Sequence, residues 1–174
     1  MFGRARQHSV WLFPINTGSC NACDQEIAAL HAARYGLAQR GIAFAISPRH
    51  ADILLVTGIL TPRSRKAARA VWEQLAEPRA IVAIGDCPIT GSVFRGAAPT
   101  MGAGDVLPID VEVPGCPPTP ALILQGIEEA IKLLDGETEA GDEAESEASE
   151  EQDSASDADE DGPGEAQSQE DEQA

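Results

Sequence analysis

No uninterrupted apolar stretch in the 174 residues approaches the ~20 that a membrane-spanning helix needs; the longest, such as Ile42 to Ile46 and Ala80 to Ile84, are strand-sized. The chain is not expected to cross a bilayer by itself. Aromatic residues make up 4% of the chain, which leaves few rings to stack on bases and argues against a nucleic-acid partner. Residues 136–174 lack Lys, Arg, every aromatic, and Ile, Leu, Val, Phe and Met. Nothing in that segment can offset the entropy lost on ordering, so it is expected to be a disordered acidic tail.

The residues that are present divide the same way. Residues 1–135 hold all 12 Lys and Arg and 12 of the 29 Asp and Glu, so that part is formally neutral, and the net charge of -17 belongs to the tail. A neutral body of this size can bury a real core, since a ~150-residue domain hides roughly two-thirds of the surface its chain could expose. The expected organisation is one α/β domain over 1–135 and a solvating tail over 136–174. The basic start Met1-Phe-Gly-Arg-Ala-Arg6 is followed only by a short apolar stretch, Val10 to Ile15, broken by Pro14. It does not read as a secretory leader, and the expected location is cytoplasmic. In a reducing compartment four cysteines are metal ligands or catalytic thiols before they are disulfides.

Strand-formers in Ser9 to Ile15 end at the turn-like Asn16-Thr-Gly-Ser19. Asp24 to Arg40 reads as a helix stopped at Gly41; Ile42–Ile46 and Ile53–Val56 read as strands. Thr61-Pro62 opens a second helix to about Ala76, with Val71 and Leu75 facing inward. The apolar run Ala80–Ile84 is the kind buried on both faces of a sheet. Residues 88–105 read as a long loop, a short strand lies within Val106–Val113, and Thr119-Pro120 opens a last helix through Leu134. Strands alternating with helices predict a mostly parallel, doubly wound, flavodoxin-like sheet.

In such a sheet, loops that follow strands all emerge at the carboxyl edge, where these folds bind ligands. Cys20 and Cys23 follow the first strand, Cys87 the fourth and Cys116 the fifth, so three distant loops present every cysteine of the chain to one edge. Four thiolates suit zinc or an iron-sulfur cluster, and softness does not choose between them. Structural zinc sites usually come from two close pairs; here only Cys20 and Cys23 are paired, the others following 64 and 29 residues later. That spacing favours a cluster. Four unrelated buried cysteines are the bland reading, and it fails on position, because none lies in the interior of a predicted strand or helix.

Asn16-Thr-Gly-Ser-Cys-Asn-Ala-Cys-Asp-Gln-Glu-Ile27, Arg34-Tyr35, Ser47-Pro-Arg-His-Ala-Asp-Ile-Leu-Leu-Val-Thr-Gly58, Glu77-Pro-Arg79, Gly85-Asp-Cys87 and Pro108-Ile-Asp-Val-Glu-Val-Pro-Gly-Cys-Pro-Pro118 stand in order across most of residues 9–134. With them the chain resembles the 20 kDa subunit family of NADH-quinone oxidoreductase (respiratory complex I), shared with the small subunits of energy-converting nickel-iron hydrogenases and formate hydrogenlyases. The resemblance implies an electron-transfer subunit with one 4Fe-4S cluster on Cys20, Cys23, Cys87 and Cys116. It implies partners too: a large nickel-iron or quinone-site subunit, further iron-sulfur and membrane subunits, and a peripheral position on the inner face of the cell membrane. Complex I members look like Cys-Cys at the first ligand pair and hydrogenase members like Cys-x-x-Cys, and Cys20-x-x-Cys23 leans to the second. Pro88-Ile-Thr-Gly91 and Ala97-Ala-Pro99 depart from the pattern, as does the acidic tail. A complex I subunit feeding quinone is the alternative within the family; a zinc-stabilised, non-redox binding module is the alternative outside it.

Glu26, three residues past Cys23, is either an acid favoured by the helix N-terminus or, as the resemblance implies, a proton-transfer group near the cluster. Arg49 is a surface arginine or, by the resemblance, a cation near the cluster that would raise its potential. His8, His31 and His50 read as packing or surface residues. The basic group Arg63, Arg65, Lys66 and Arg69 reads as a solvated helix face or docking patch, and Gly102-x-Gly104 lacks the setting of a nucleotide fingerprint.

Overall fold

The structure, a computed structural model, describes residues 9–96 and 102–152, with side chains described to Gly136. Five strands are present there: β1 Val10–Asn16, β2 Ile42–Phe44, β3 Ile53–Thr57, β4 Ala80–Ile84 and β5 Val111–Val113. Four α-helices join or follow them: α1 Ala22–Ala29, α2 Ser64–Trp72, α3 Asp86–Thr90 and α4 Pro120–Gln152. Every ladder is parallel and the order is β2-β1-β3-β4-β5, the flavodoxin-type winding expected from the alternation of elements.

Helices lie on both faces of the sheet. One apolar layer joins Leu12, Leu55, Val82 and Val113 to Ile27 and Leu30 of the α1 segment and to Ile123, Ile127 and Leu134 of α4. The other joins Leu54, Val56 and Ile81 to Ala68 of α2, Leu75, and Ala103 and Leu107 beyond the Cys87 segment. Every residue of β3 and β4 is buried, which is why both strands are continuous apolar runs without alternation. Gly126 lets α4 lie close on the sheet: a Cβ there would stand 2.3 Å from Val113 Cγ2.

Several elements differ from the sequence expectation. The helix expected over Asp24–Arg40 is eight residues long, followed by two 3-10 turns, Ala33–Tyr35 and Ala38–Arg40. Alanine's helix propensity does not carry it further because the chain turns back to begin β2, with Ala32 extended and Gly36 and Gly41 left-handed. In the expected long loop, Asp86–Thr90 is helical and Ser92–Phe94 and Ala103–Asp105 are 3-10 turns. The second helix is shorter than expected; Thr61 still opens it, its hydroxyl accepting from Ser64 N–H at 3.2 Å while Ser64 Oγ accepts from Thr61 N–H at 2.9 Å. The last helix runs past Leu134 to Gln152, through a stretch rich in the strong helix formers Glu and Ala.

The chain divides into two units, Met1–Ala140 and Gly141–Ala174; the sheet and its packing belong to the first. Residues 153–174, Ala97-Ala-Pro99, His8 and the basic start lie outside the described residues. Among the described residues no helix is long and apolar enough to cross a membrane.

Candidate metal centre

β1 ends at Asn16, and the chain then forms a loop closed by its own side chains. Asn16 Oδ1 accepts the N–H groups of Gly18 and Ser19, each at 2.9 Å, the short-range folding back that Asn favours after a strand. Ser19 Oγ in turn accepts from Asn21 N–H at 3.0 Å, and Asn21 is left-handed (φ 71°) where α1 begins. Cys20 stands exposed in this loop, and Cys23, buried, is the second residue of α1.

Asp24 ties this loop to the rest of the sheet. Its Oδ2 accepts from Ser19 Oγ at 2.6 Å and from Asn16 Nδ2 at 2.8 Å, while its Oδ1 accepts from Thr57 Oγ1 at 2.9 Å. Thr57, fully buried at the end of β3, also takes Thr17 N–H on its carbonyl at 2.9 Å and Thr17 Oγ1 at 2.8 Å. Beyond it Gly58 (φ 83°) passes so close that a Cβ would sit 2.4 Å from Ser19 N, an approach open only to glycine.

The other two cysteines come from neighbouring strand ends. Cys87 is the second residue of α3 directly after β4, and Cys116 is exposed two residues past Pro114. β4 and β5 continue to hold each other beyond the sheet: Gly85 N–H donates to Val113 O at 2.8 Å and Asp86 N–H to Gly115 O at 3.0 Å. The Asp86 carboxylate returns the contact, accepting Gly115 N–H at 2.9 Å. At Gly85 (φ 93°) a Cβ would lie 2.7 Å from Cys23 Sγ, so the Cys23 thiol occupies room that only glycine leaves.

The four thiols feel one another. Burial pushes Cys23 from 9.0 up to about 11, and Cys87, Asp24, Cys20 and Cys116 add negative potential in the same direction. Burial also raises Cys87, against a hydrogen bond with Ser92 that lowers it and with Cys116, Cys20 and Asp86 adding to the rise. Among the described residues no three His, Cys, Asp or Glu side chains are close enough to hold a single metal ion. The donor chemistry nonetheless fits a thiolate-bound group: four sulfurs from three strand ends, Cys23 and Cys87 shielded and Cys20 and Cys116 open, with the buried Cys23 thiol held protonated at neutral pH until a metal displaces its proton.

The structure thus brings the four sequence-selected cysteines to one edge. Cys23 and Cys87 lie in helices but in their first turns, because each helix starts at the strand-end loop. Glu26 is half-buried on α1, one turn from Cys23. Arg49 sits in the 3-10 turn Pro48–His50 of the β2–β3 crossover, and not in a cysteine-bearing loop. His31 packs its ring against Phe44 at 4.8 Å, and Arg69, exposed on α2, pairs with Glu73 at 3.1 Å. The residues that sequence reasoning missed are Asn16, Asp24, Thr57 and Asp86. The available signal is an Asp beside two of the four cysteines.

A family model described as NADH ubiquinone oxidoreductase, 20 Kd subunit, matches residues 20–130. The probable membrane-bound hydrogenase subunit mbhJ of Pyrococcus furiosus is 46% identical over 144 residues, 79% of this chain and 86% of that protein. An NADH-quinone oxidoreductase subunit of Flavobacterium johnsoniae is 39% identical over 137 residues, 78% of this chain and 74% of that protein. Among solved structures, a chain of the membrane-bound sulfane sulfur reductase, an archaeal respiratory membrane complex, superposes with TM-score 0.66 and 32% identity, covering 78% of this chain and 75% of that one.

Proposed function

We propose that this chain, which belongs to the NADH ubiquinone oxidoreductase 20 kDa subunit family of oxidoreductase subunits, carries one 4Fe-4S cluster and passes electrons inside a membrane-associated, hydrogenase-like complex. The observation that carries the reading is the convergence of Cys20, Cys23, Cys87 and Cys116 from three strand-end loops, with their thiols electrostatically coupled. When bound, such a cluster supplies reversible one-electron transfer. The chain's own residues supply the rest. Cys23 and Cys87 anchor it from the shielded side, Cys20 and Cys116 from the open side. Asn16, Asp24, Thr57 and Asp86 hold the ligand loops, so the four sulfurs keep one arrangement through turnover. Glu26 is assigned to proton transfer toward the partner's active site, from its position one turn along α1 from Cys23.

The partners are a large subunit, with nickel-iron chemistry, docked over the open cysteines, and further iron-sulfur and membrane subunits that hold this chain peripherally on the inner face of the cell membrane. The Cys20-x-x-Cys23 spacing supports this over a quinone-reducing complex, whose members look like Cys-Cys at that pair. The quinone reading has support of its own in the likeness to an NADH-quinone oxidoreductase subunit.

The test is optical, magnetic and analytical. Complex purified without air should show a broad sulfide-to-iron band and a reduced-state paramagnetic signal, both lost in Cys87→Ser. One zinc per chain with no acid-labile sulfide would overturn the assignment in favour of a non-redox zinc module. Nickel in the intact complex supports the hydrogenase-like partner; its absence together with quinone reduction selects the other.

A further inference from the structure

Two carboxylates stand next to ligand cysteines, Asp24 beside Cys23 and Asp86 beside Cys87. Among the described residues the partners of the Asp24 carboxylate are neutral donors, the hydroxyls of Ser19 and Thr57 and the amide of Asn16, at 2.6, 2.9 and 2.8 Å. Hydroxyl and amide donors hold a carboxylate in place without cancelling its charge, as an arginine would. Asp24 is half-buried, so its field at the neighbouring sulfurs is only partly screened, and it acts on Cys23 in the same sense as the other three cysteines. Its anchor, Thr57, is 33 residues away and fully buried, so the charge has a fixed position relative to the sheet.

Reduction of a cluster held by four thiolates adds one electron, and with it negative charge, to the site. A fixed anion beside it opposes that step and favours the oxidised state. Resting on the cluster assignment above, we propose that Asp24 is a positioning residue with two effects: through Thr57 it clamps the Cys20–Cys23 loop to the end of β3, and through its uncancelled charge it sets the centre to a low reduction potential. The site is thereby biased to donate to an acceptor of low potential.

The two effects separate by mutation in the anaerobically purified complex. Asp24→Asn removes the charge and keeps an oxygen for Thr57; a redox titration followed by the paramagnetic signal should show reduction favoured about tenfold, which is about 59 mV upward for one electron. Asp24→Ser is the second charge-free variant, read in the same way if the first releases its cluster. Thr57→Val cuts the clamp without touching charge: its potential should stay within a third of that shift while a chelator strips its iron several-fold faster. Asp24→Glu should restore the low potential. An unchanged midpoint in both charge-free variants, beside a normal wild-type signal, overturns the electrostatic effect, and unaltered iron release in Thr57→Val overturns the clamp. A wild-type complex with no cluster signal at all would instead sink the cluster assignment, and this inference with it.

Discussion

Asp86 and Gly115 hold each other in both directions, Asp86 N–H donating to the Gly115 carbonyl at 3.0 Å and Gly115 N–H to the Asp86 carboxylate at 2.9 Å. One residue beyond each lies a cysteine, so this pair ties together the two loops that carry Cys87 and Cys116. Asp86→Ala leaves the Gly115 N–H without its charged acceptor at a half-buried position. The expected cost is about 1–2 kcal/mol in denaturant unfolding of the metal-free chain, with iron content lowered in the complex.

Gly85→Ala inserts a Cβ 2.7 Å from Cys23 Sγ and forces alanine into φ 93°. Iron and acid-labile sulfide per chain should fall by roughly half or more, at a folding cost of about 1–3 kcal/mol. Gly104→Ala is the control, since nothing lies within 4 Å of its Cβ position. Equal metal content in the two variants would refute the assignment of Gly85 to the site.

The metal-free chain should weaken in alkali. Burial lifts Cys23 from 9.0 to about 11 in the fold, so the folded chain holds that proton more tightly than the unfolded one. The associated stability is complete below pH 9.0 and is lost as pH rises toward about 11, beyond which the curve flattens. Cys87 adds to the same slope. Urea melts from neutral pH to about 11 should show the decline, and Cys23→Ala should reduce it; a flat profile in the parent chain would refute it.

Leu55 is fully buried in β3, the strand that carries Thr57. Leu55→Ala should cost about 2–5 kcal/mol, read as a lower denaturation midpoint with an unchanged denaturant slope.

The parts of this molecule visible in its sequence are those where one local rule decides. β4 is legible to the residue, because a strand covered on both faces must be apolar throughout. The convergence of the cysteines follows from parallel winding alone. The helix after Cys23 reads too long because alanines favour helix equally on either side of the turn that leads into β2. Asp24 and Asp86 are not legible because their meaning lies in partners 33 and 29 residues away, Thr57 and Gly115, which no local pattern names.

The four sulfurs are not equivalent toward the outside: Cys20 and Cys116 are exposed, while Cys23 has 7% of its surface open. An oxidant diffusing in from water meets the outer pair first, so damage by air should begin as sulfenylation or disulfide chemistry at Cys20 or Cys116 and reach Cys23 last. A covering subunit over that rim would then be armour as well as an electrical contact, and the chain stripped of it should age from the outside inward.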